Sequence, residues 1–166
     1  VLICQDLAEA EAGVKEIMED KKFGNAGNTM VIEEFMTGRE VSVLSFVDGK
    51  TIRTMTSAQD HKRAKDGDQG LNTGGMGTFS PSPFYTPEVD EFCKKYVYQK
   101  TVDAMAAEGR PFKGIIFFGL MLTADGPKVL EYNARFGDPE AQVVLPCMKN
   151  DLIDVIEACI DGTLDQ

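Results

Sequence analysis

The segment at residues 129–142, with the sequence VLEYNARFGDPEAQ, constrains the fold and the chemistry of this chain more than any other segment. Successive side chains of a β-strand point to opposite faces, so Glu131 and Asn133 are predicted to project from the same face. A carboxylate and an amide oxygen side by side suit one hard cation. Arg135 follows on the loop that leaves the strand, and its planar fork of donors matches a carboxylate or a phosphate. The segment therefore predicts a metal and an anion held close together.

A purely structural explanation of the same residues stays open at this point. In an ordinary edge strand the glutamate would be solvated and the asparagine would belong to a turn. Arg135 would then pair with Asp138 or Glu140. Taken alone, the segment does not favour one interpretation over the other.

Composition narrows the class of protein. The chain has 166 residues, of which 43% are apolar, enough to bury a core within one domain or a large piece of one. Seventeen basic and 27 acidic side chains give a net charge of -10, which argues against a broad nucleic-acid surface. A phosphorylated small molecule stays possible if a metal and local basic residues supply positive charge.

The cysteines and the apolar runs indicate a cytoplasmic protein. The four cysteines show no C-x-x-C spacing, so neither a zinc knuckle nor a disulfide framework is indicated. No apolar run approaches the roughly 20 residues that span a bilayer, and nothing resembles a signal peptide. Because the chain starts at Val1 rather than at Met, we expect it to be a piece of a longer protein.

Hydrophobic periodicity and turn residues predict mixed α and β structure. Helices are predicted at residues 6–20 and 86–108 and in two short stretches after residues 139 and 150. Strands are predicted at 1–4 and 30–35 and in two hairpins, 41–47 with 51–55 and 114–123 with 128–133. The polar stretch 57–87 is too long for a simple connection, which is typical of a functional or disordered loop. The buried stripe of the first helix is predicted at Leu7, Ala10, Val14 and Ile17.

A second motif, MVIEEFMTGRE at residues 30–40, has an apolar run that ends in two acids, an aromatic residue and a glycine turn. Backbone groups where a strand enters a hinge can read an adenine edge, and Glu40 is placed to accept from ribose hydroxyls. For this motif alone, a plain strand and turn with solvated acids is favoured.

A third motif, SAQDHKR at residues 57–63, contains the single histidine of the chain. Asp60, His61, Lys62 and Arg63 together make an anion-binding edge plausible at the end of a strand. A lone histidine is more often structural, but we put a functional use slightly ahead.

A fourth motif, NTGGMG at residues 72–77, is neither G-x-G-x-x-G nor a Walker A loop. Its three glycines still let the backbone approach a ligand closely. A flexible linker is the alternative, but Pro81 and Pro83 stiffen the exit and favour a shaped loop.

In their order and spacing, these motifs resemble the ATP-grasp superfamily and, within it, the glycinamide ribonucleotide synthetase (phosphoribosylamine–glycine ligase) family. The match runs through VIEEF, AQDHKR, NTGGMG, the GLML strand and EYNARFGDPEAQ. The resemblance covers nearly the whole chain, and QDHKR with NTGGMG is specific to this ligase family.

The resemblance implies an ATP-dependent ligase of purine biosynthesis. The carboxylate of glycine would attack the γ-phosphate of ATP to give glycyl phosphate and ADP. The amine of 5-phosphoribosylamine would then displace phosphate and yield glycinamide ribonucleotide. ATP and Mg²⁺ or Mn²⁺ are the implied cofactors, the substrates are small molecules, and neither nucleic acid nor a membrane is an implied partner.

The resemblance also implies roles for individual residues. Glu33, Glu34, Phe35 and Met36 would form the adenine hinge, with Glu40 on the ribose. Glu131 and Asn133 would hold the metal, and Glu131 and Arg135 would be catalytic. The implied substrate-binding residues are Asp60, His61, Lys62, Arg63, Asn72, Gly74, Gly75, Arg135 and Asp138.

The expected fold is α+β: a partial ATP-grasp fold of mostly antiparallel sheets with flanking helices. Residues 1–36 would be the remainder of the smaller subdomain and residues 37–166 the larger subdomain. The N-terminal and C-terminal domains of the family, and the phosphate loop with its lysine upstream of Val1, would be absent, so we expect the isolated chain to be inactive. Gly119 stands where many ATP-grasp enzymes carry another acidic metal ligand, which would leave two protein ligands.

Two other function classes stay open. One is another ATP-grasp carboxylate–amine ligase or a carboxylase with a different acceptor. The other is a nucleotide-binding module without turnover. The sequence does not indicate the source organism, the oligomeric state or whether the parent protein is multifunctional.

Overall fold

A computed structural model gives the fold of the chain. It describes every residue except Lys62, Asp68, Thr73, Gly74 and Met76, and it describes Arg63 and Gln69–Asn72 by their backbone alone. The chain divides into two compact units, Val1–Met36 and Thr37–Gln166. No helix among the described residues is long and apolar enough to cross a membrane.

The first unit is helical. Helix α1 (Leu7–Val14) begins at Asp6, whose carboxylate accepts from the Glu9 N–H at 2.9 Å, and a π-helical turn extends it to Glu19. Satisfying a free N–H of the first turn in this way fixes where a helix starts. A 3₁₀ turn, Gly24–Asn28, follows.

Two predictions for the first unit are wrong, the second of them in part. No strand forms at residues 1–4 or 30–35, because a strand needs a neighbouring strand to pair with and this unit, all of it described, contains none. The predicted apolar stripe is only partly buried. Leu7 is 74% exposed, whereas Ala10, Val14 and Ile17 are half-buried, and the one fully buried residue of α1 is Gly13.

The second unit contains an antiparallel sheet of five strands, which are β1 (Arg39–Asp48), β2 (Ile52–Asp60), β5 (Thr78–Phe79), β6 (Lys113–Thr123) and β7 (Gly126–Asn133). Across the sheet the strands follow the order β5-β2-β1-β6-β7. Two further short strands, β3 (Arg63–Lys65) and β4 (Gln69–Asn72), pair with each other. Both predicted hairpins are confirmed, whereas the predicted loop at 57–87 contains the end of β2 and three short strands.

Asp48 explains the tight turn between β1 and β2. Its Oδ1 accepts from the N–H groups of Lys50 at 3.0 Å and Thr51 at 2.7 Å, and Gly49 takes a positive φ of 100° that favours glycine. Its Oδ2 accepts from Leu164 at 3.1 Å. Burial raises the pKa of this carboxyl, but the three backbone N–H groups outweigh burial and hold the pKa below its usual value.

Helices cover both faces of the sheet. Helix α2 (Pro87–Cys93), a π-helical turn (Lys94–Tyr98) and helix α3 (Gln99–Ala107) follow one another without a break, capped at the start by Thr86. They pack on one face against Val43, Val47, Ile116, Phe118 and Leu120. Helix α4 (Ala141–Val144) packs on the other face against Leu44, Ala58 and Phe117. Helix α5 (Leu152–Asp161) ends at Gly162 in the left-handed conformation.

Alternation along the strands explains this two-sided core. Val43 and Leu44 are neighbours on β1 but belong to opposite clusters, as do Phe117 and Phe118 on β6. The face that carries Leu44 and Phe117 also carries Glu40, Ser42, Glu131 and Asn133, which belong to the candidate site described next. The expected α+β architecture, with an antiparallel sheet and flanking helices, is confirmed.

Candidate active site

A row of three residues crosses the sheet on the α4 face. Ser42 of β1 lies opposite Gly119 of β6, and Gly119 lies opposite Glu131 of β7. Directly opposed residues share a face of a sheet, so this face presents a small serine side chain, then a glycine without a side chain, then an acidic side chain. A Cβ atom on Gly119 would come within 2.8 Å of the Glu131 Cγ. Gly119 therefore leaves the space that the Glu131 side chain occupies.

Glu131 and Asn133 meet at the end of β7, as their spacing predicts. The Asn133 Nδ2 donates to the Glu131 Oε1 at 3.2 Å, and Glu131 is exposed while Asn133 is half-buried. Carboxylate and amide oxygens are hard ligands of the kind that Mg²⁺ takes. Among the described residues, no group of three or more His, Cys, Asp or Glu side chains could hold a metal. A metal here would depend on these two residues, with substrate phosphates and water.

Arg135 lies just beyond the strand with its charge exposed. Its Nη1 donates to the Phe136 carbonyl at 2.9 Å, and it makes no ion pair with any side chain that the structure describes. Asp138 instead accepts from the Gln142 Nε2 at 2.7 Å. The structure therefore does not pair Arg135 with Asp138 or Glu140, as the structural explanation had expected. The guanidinium can bind an anion.

Glu140 is a buried carboxylate that the sequence analysis considered only as a possible partner of Arg135. Its side chain is 6% exposed, and its Oε1 accepts from the Ser42 Oγ at 3.2 Å. A Cβ on Gly137 would overlap this carboxylate, so the glycine of the GDPE segment makes room for it. The contact joins residues 98 positions apart, so no local sequence signal could have identified it.

The glycine-rich loop returns to the end of β2. Asp60 pairs with Thr78, and the His61 N–H donates to the Gly77 carbonyl at 2.7 Å. A Cβ on Gly75, whose φ is 100°, would lie 2.9 Å from the Asp60 Oδ2 and 3.0 Å from the Pro139 Cδ. The fold therefore brings Asp60, the loop and the segment after β7 together.

The remaining acceptor-side candidates are described only in part. His61 packs its ring against Phe79, with the ring centroids 5.1 Å apart. Arg63 and Asn72 are paired through the β3 and β4 backbones. Lys62 and Gly74 lie outside the described residues.

The nucleotide candidates divide between the two units. Glu33, Glu34 and Phe35 are exposed residues of the first unit, and Met36 is its last residue. Glu40 belongs to the second unit, where it is half-buried on β1 opposite Met121. Glu40 also lines the cavity described next.

The polar residues of the second unit described above line a cavity of about 200 Å³. Among its described lining residues are five carboxylates and one guanidinium, so acidic side chains outnumber basic ones there. Phosphates alone would be repelled from such a site, whereas metal-bound phosphates and ammonium groups would be attracted. The charged residues of the lining are Glu40, Asp60, Glu131, Arg135, Asp138 and Glu140.

Comparisons with known proteins agree with one another. The sequence profile of the family described as "Phosphoribosylglycinamide synthetase, ATP-grasp (A) domain" matches residues 1–141. The trifunctional purine biosynthetic protein adenosine-3 of Gallus gallus is 53% identical over 99% of this chain and 16% of that protein. The phosphoribosylamine–glycine ligase of Xanthomonas axonopodis pv. citri is 51% identical over 99% of this chain and 38% of that ligase.

A solved structure resembles the fold closely. The crystal structure of phosphoribosylamine–glycine ligase from Thermotoga maritima matches with a TM-score of 0.81 and 29% sequence identity, covering 97% of this chain and 41% of that chain. The chain therefore spans less than half the length of each of these three relatives.

Proposed function

Because the chain belongs to the phosphoribosylglycinamide synthetase ATP-grasp (A) domain family, we propose that it supplies the catalytic cavity of an ATP-dependent ligase joining glycine to 5-phosphoribosylamine. The products are glycinamide ribonucleotide, ADP and phosphate. The observation that carries this proposal is the acidic cavity in which Glu131 and Asn133 lie together with Arg135, which pairs with no described carboxylate.

The reaction takes two steps. A carboxylate oxygen of glycine attacks the γ-phosphorus of ATP, the bond to the leaving ADP oxygen breaks, and glycyl phosphate forms. The amine nitrogen of 5-phosphoribosylamine then attacks the glycyl carbonyl carbon, loses a proton and expels phosphate. Transfer of a phosphoryl group depends mostly on positioning and charge neutralisation, so the cavity has to orient the reactants and balance their charge.

Arg135 has the position and chemistry to hold the anionic reactant. Its guanidinium forks toward a carboxylate or an acyl phosphate, and charge-assisted bonds of this kind orient as well as bind. Glu131 and Asn133 would hold Mg²⁺ or Mn²⁺, which neutralises charge on the phosphates when bound. Their hard oxygen ligands and their contact at 3.2 Å fit such an ion.

The other assignments remain proposals that rest on the sequence motifs. Glu33, Glu34, Phe35 and Met36 form the adenine hinge and Glu40 binds the ribose. Asp60, His61, Lys62, Arg63, Asn72, Gly74, Gly75 and Asp138 contribute to the substrate side. The approach of Gly75 to Asp60 and Pro139 supports a shared substrate wall. The division of the chain into smaller and larger ATP-grasp subdomains at residue 36, and a cytoplasmic location, are proposals of the same kind.

Product analysis with the full-length protein that contains this chain tests the function. ADP release should require both glycine and 5-phosphoribosylamine, and mass spectrometry should detect glycinamide ribonucleotide. ADP formation with another acceptor would instead indicate a different carboxylate–amine ligase or a carboxylase. ATP binding without any ADP release would indicate a nucleotide-binding module.

A further inference from the structure

The cavity contains a buried carboxylate to which the reaction outlined above gives no role. Glu140 stands at the start of α4 and is 94% buried, since 6% of its surface is exposed. Among the described residues its side chain has one hydrogen-bond partner, the Ser42 hydroxyl at 3.2 Å, and no lysine, arginine or histidine pairs with it. Ser42 is itself 8% exposed.

Such an arrangement favours a positively charged ligand. A buried carboxylate is stable when a cation or several donors compensate its charge, and one neutral hydroxyl compensates little of it. Arg135 is the one basic residue among the described lining residues of the cavity, and it does not pair with Glu140. A cationic group brought by a ligand would supply the missing charge.

The row across the sheet separates Glu140 from the metal candidates. Glu140 contacts Ser42 at one end of the row, and Glu131 stands at the other end with Asn133 beside it. Gly119 lies between them and contributes no side chain. Because Glu140, Glu131, Asn133 and Arg135 line the same cavity, a small ligand bound in it could meet Glu140 at one end and the metal and Arg135 at the other.

We propose that Glu140 binds the ammonium group of the amino-acid substrate, and that Ser42 is a positioning residue that orients the Glu140 carboxylate. This inference rests on the proposed function, and it assigns the recognition of the ammonium group of glycine to Glu140. Glycine carries its two charges at opposite ends. Its carboxylate reacts near Arg135, while its ammonium supplies the cation that Glu140 lacks.

The test compares glycine with glycolate, in which a hydroxyl replaces the ammonium, in the full-length protein. ADP release is measured at saturating ATP and 5-phosphoribosylamine while the concentration of glycine or of glycolate is varied. Glu140→Gln keeps the size of the side chain and removes its charge. The loss of a charge-assisted hydrogen bond should raise the KM for glycine by about ten- to hundredfold. The KM for magnesium-ATP should change less than about threefold, and the preference for glycine over glycolate should fall by the same large factor.

Glu157→Gln is the matched control, because Glu157 is exposed on α5 and does not line the cavity. Ser42→Ala should raise the KM for glycine a few-fold with kcat nearly unchanged, and it decides the question if Glu140→Gln fails to fold. Unchanged glycine KM and selectivity in the variant that folds would overturn the inference. A shift in magnesium dependence instead of glycine KM would also overturn it, by making Glu140 a metal ligand. If the wild type activates no glycine at all, the proposed function itself fails.

Discussion

Replacing Gly119 by alanine tests how the sheet positions Glu131. The added Cβ would lie 2.8 Å from the Glu131 Cγ, whereas ordinary contacts begin at 3.4 Å. Because Glu131 is exposed, its side chain can rotate away, and an off-rotamer side chain costs about 0.5–1.5 kcal/mol. The free energy of unfolding should therefore fall by no more than about 1.5 kcal/mol.

Activity should fall much further than stability in this variant. A misplacement of about 1 Å in a catalytic group can lower a rate by about a hundredfold. Rotation would also separate Glu131 from Asn133, which it now contacts at 3.2 Å. We expect the full-length Gly119→Ala protein to release ADP at least tenfold more slowly and to need more magnesium.

Initial rates of ADP release across magnesium concentrations, beside urea unfolding, provide the measurement. Glu131→Gln is the comparator, because it removes the charge without adding a methyl group. Normal activity with unchanged magnesium dependence in Gly119→Ala would refute the steric argument. A fall of several kcal/mol in the free energy of unfolding would also refute it, because the added methyl group would then disrupt the sheet and not only the Glu131 side chain.

Two further predictions concern the turn after β1 and the motif after β2. The carboxyl of Asp48 has a lowered pKa, so its stabilising contribution is present at neutral pH and is lost as pH falls through the folded-state pKa. Asp48→Asn should lower the free energy of unfolding by about 1–3 kcal/mol at pH 7. The difference in unfolding free energy between variant and wild type should become smaller below about pH 4. Urea titrations that give the same difference at pH 3 and at pH 7 would contradict this prediction. Lys62→Ala should raise the KM for 5-phosphoribosylamine more than that for ATP, and steady-state kinetics showing equal weakening of both would point to a folding role.

Sequence reasoning succeeded where local chemistry determines the structure. Asp48 with Gly49 specifies one hairpin turn, Thr86 with Pro87 starts the long helix, and period-two alternation brings Glu131 beside Asn133. The family resemblance stated from five motifs is confirmed by the match over residues 1–141.

Sequence reasoning failed where the structure depends on distant partners. Residues 30–35 are apolar enough for a strand, but their unit provides no strand to pair with. The pairing of Glu140 with Ser42 spans 98 positions, and no local pattern predicts such a contact. The same holds for β5, which pairs with the end of β2 across the glycine-rich loop.

The proposed mechanism requires Glu131 and Asn133 on β7 to hold the metal, and turnover of Glu131→Gln in the full-length protein tests this requirement most directly. With saturating ATP, glycine and 5-phosphoribosylamine, ADP release should fall by at least about a hundredfold at every magnesium concentration. Glu91→Gln, an exposed change on α2, should keep normal rates. If Glu131→Gln instead stays within a few-fold of wild type across the magnesium range, Glu131 does not hold the metal and the catalytic centre lies elsewhere.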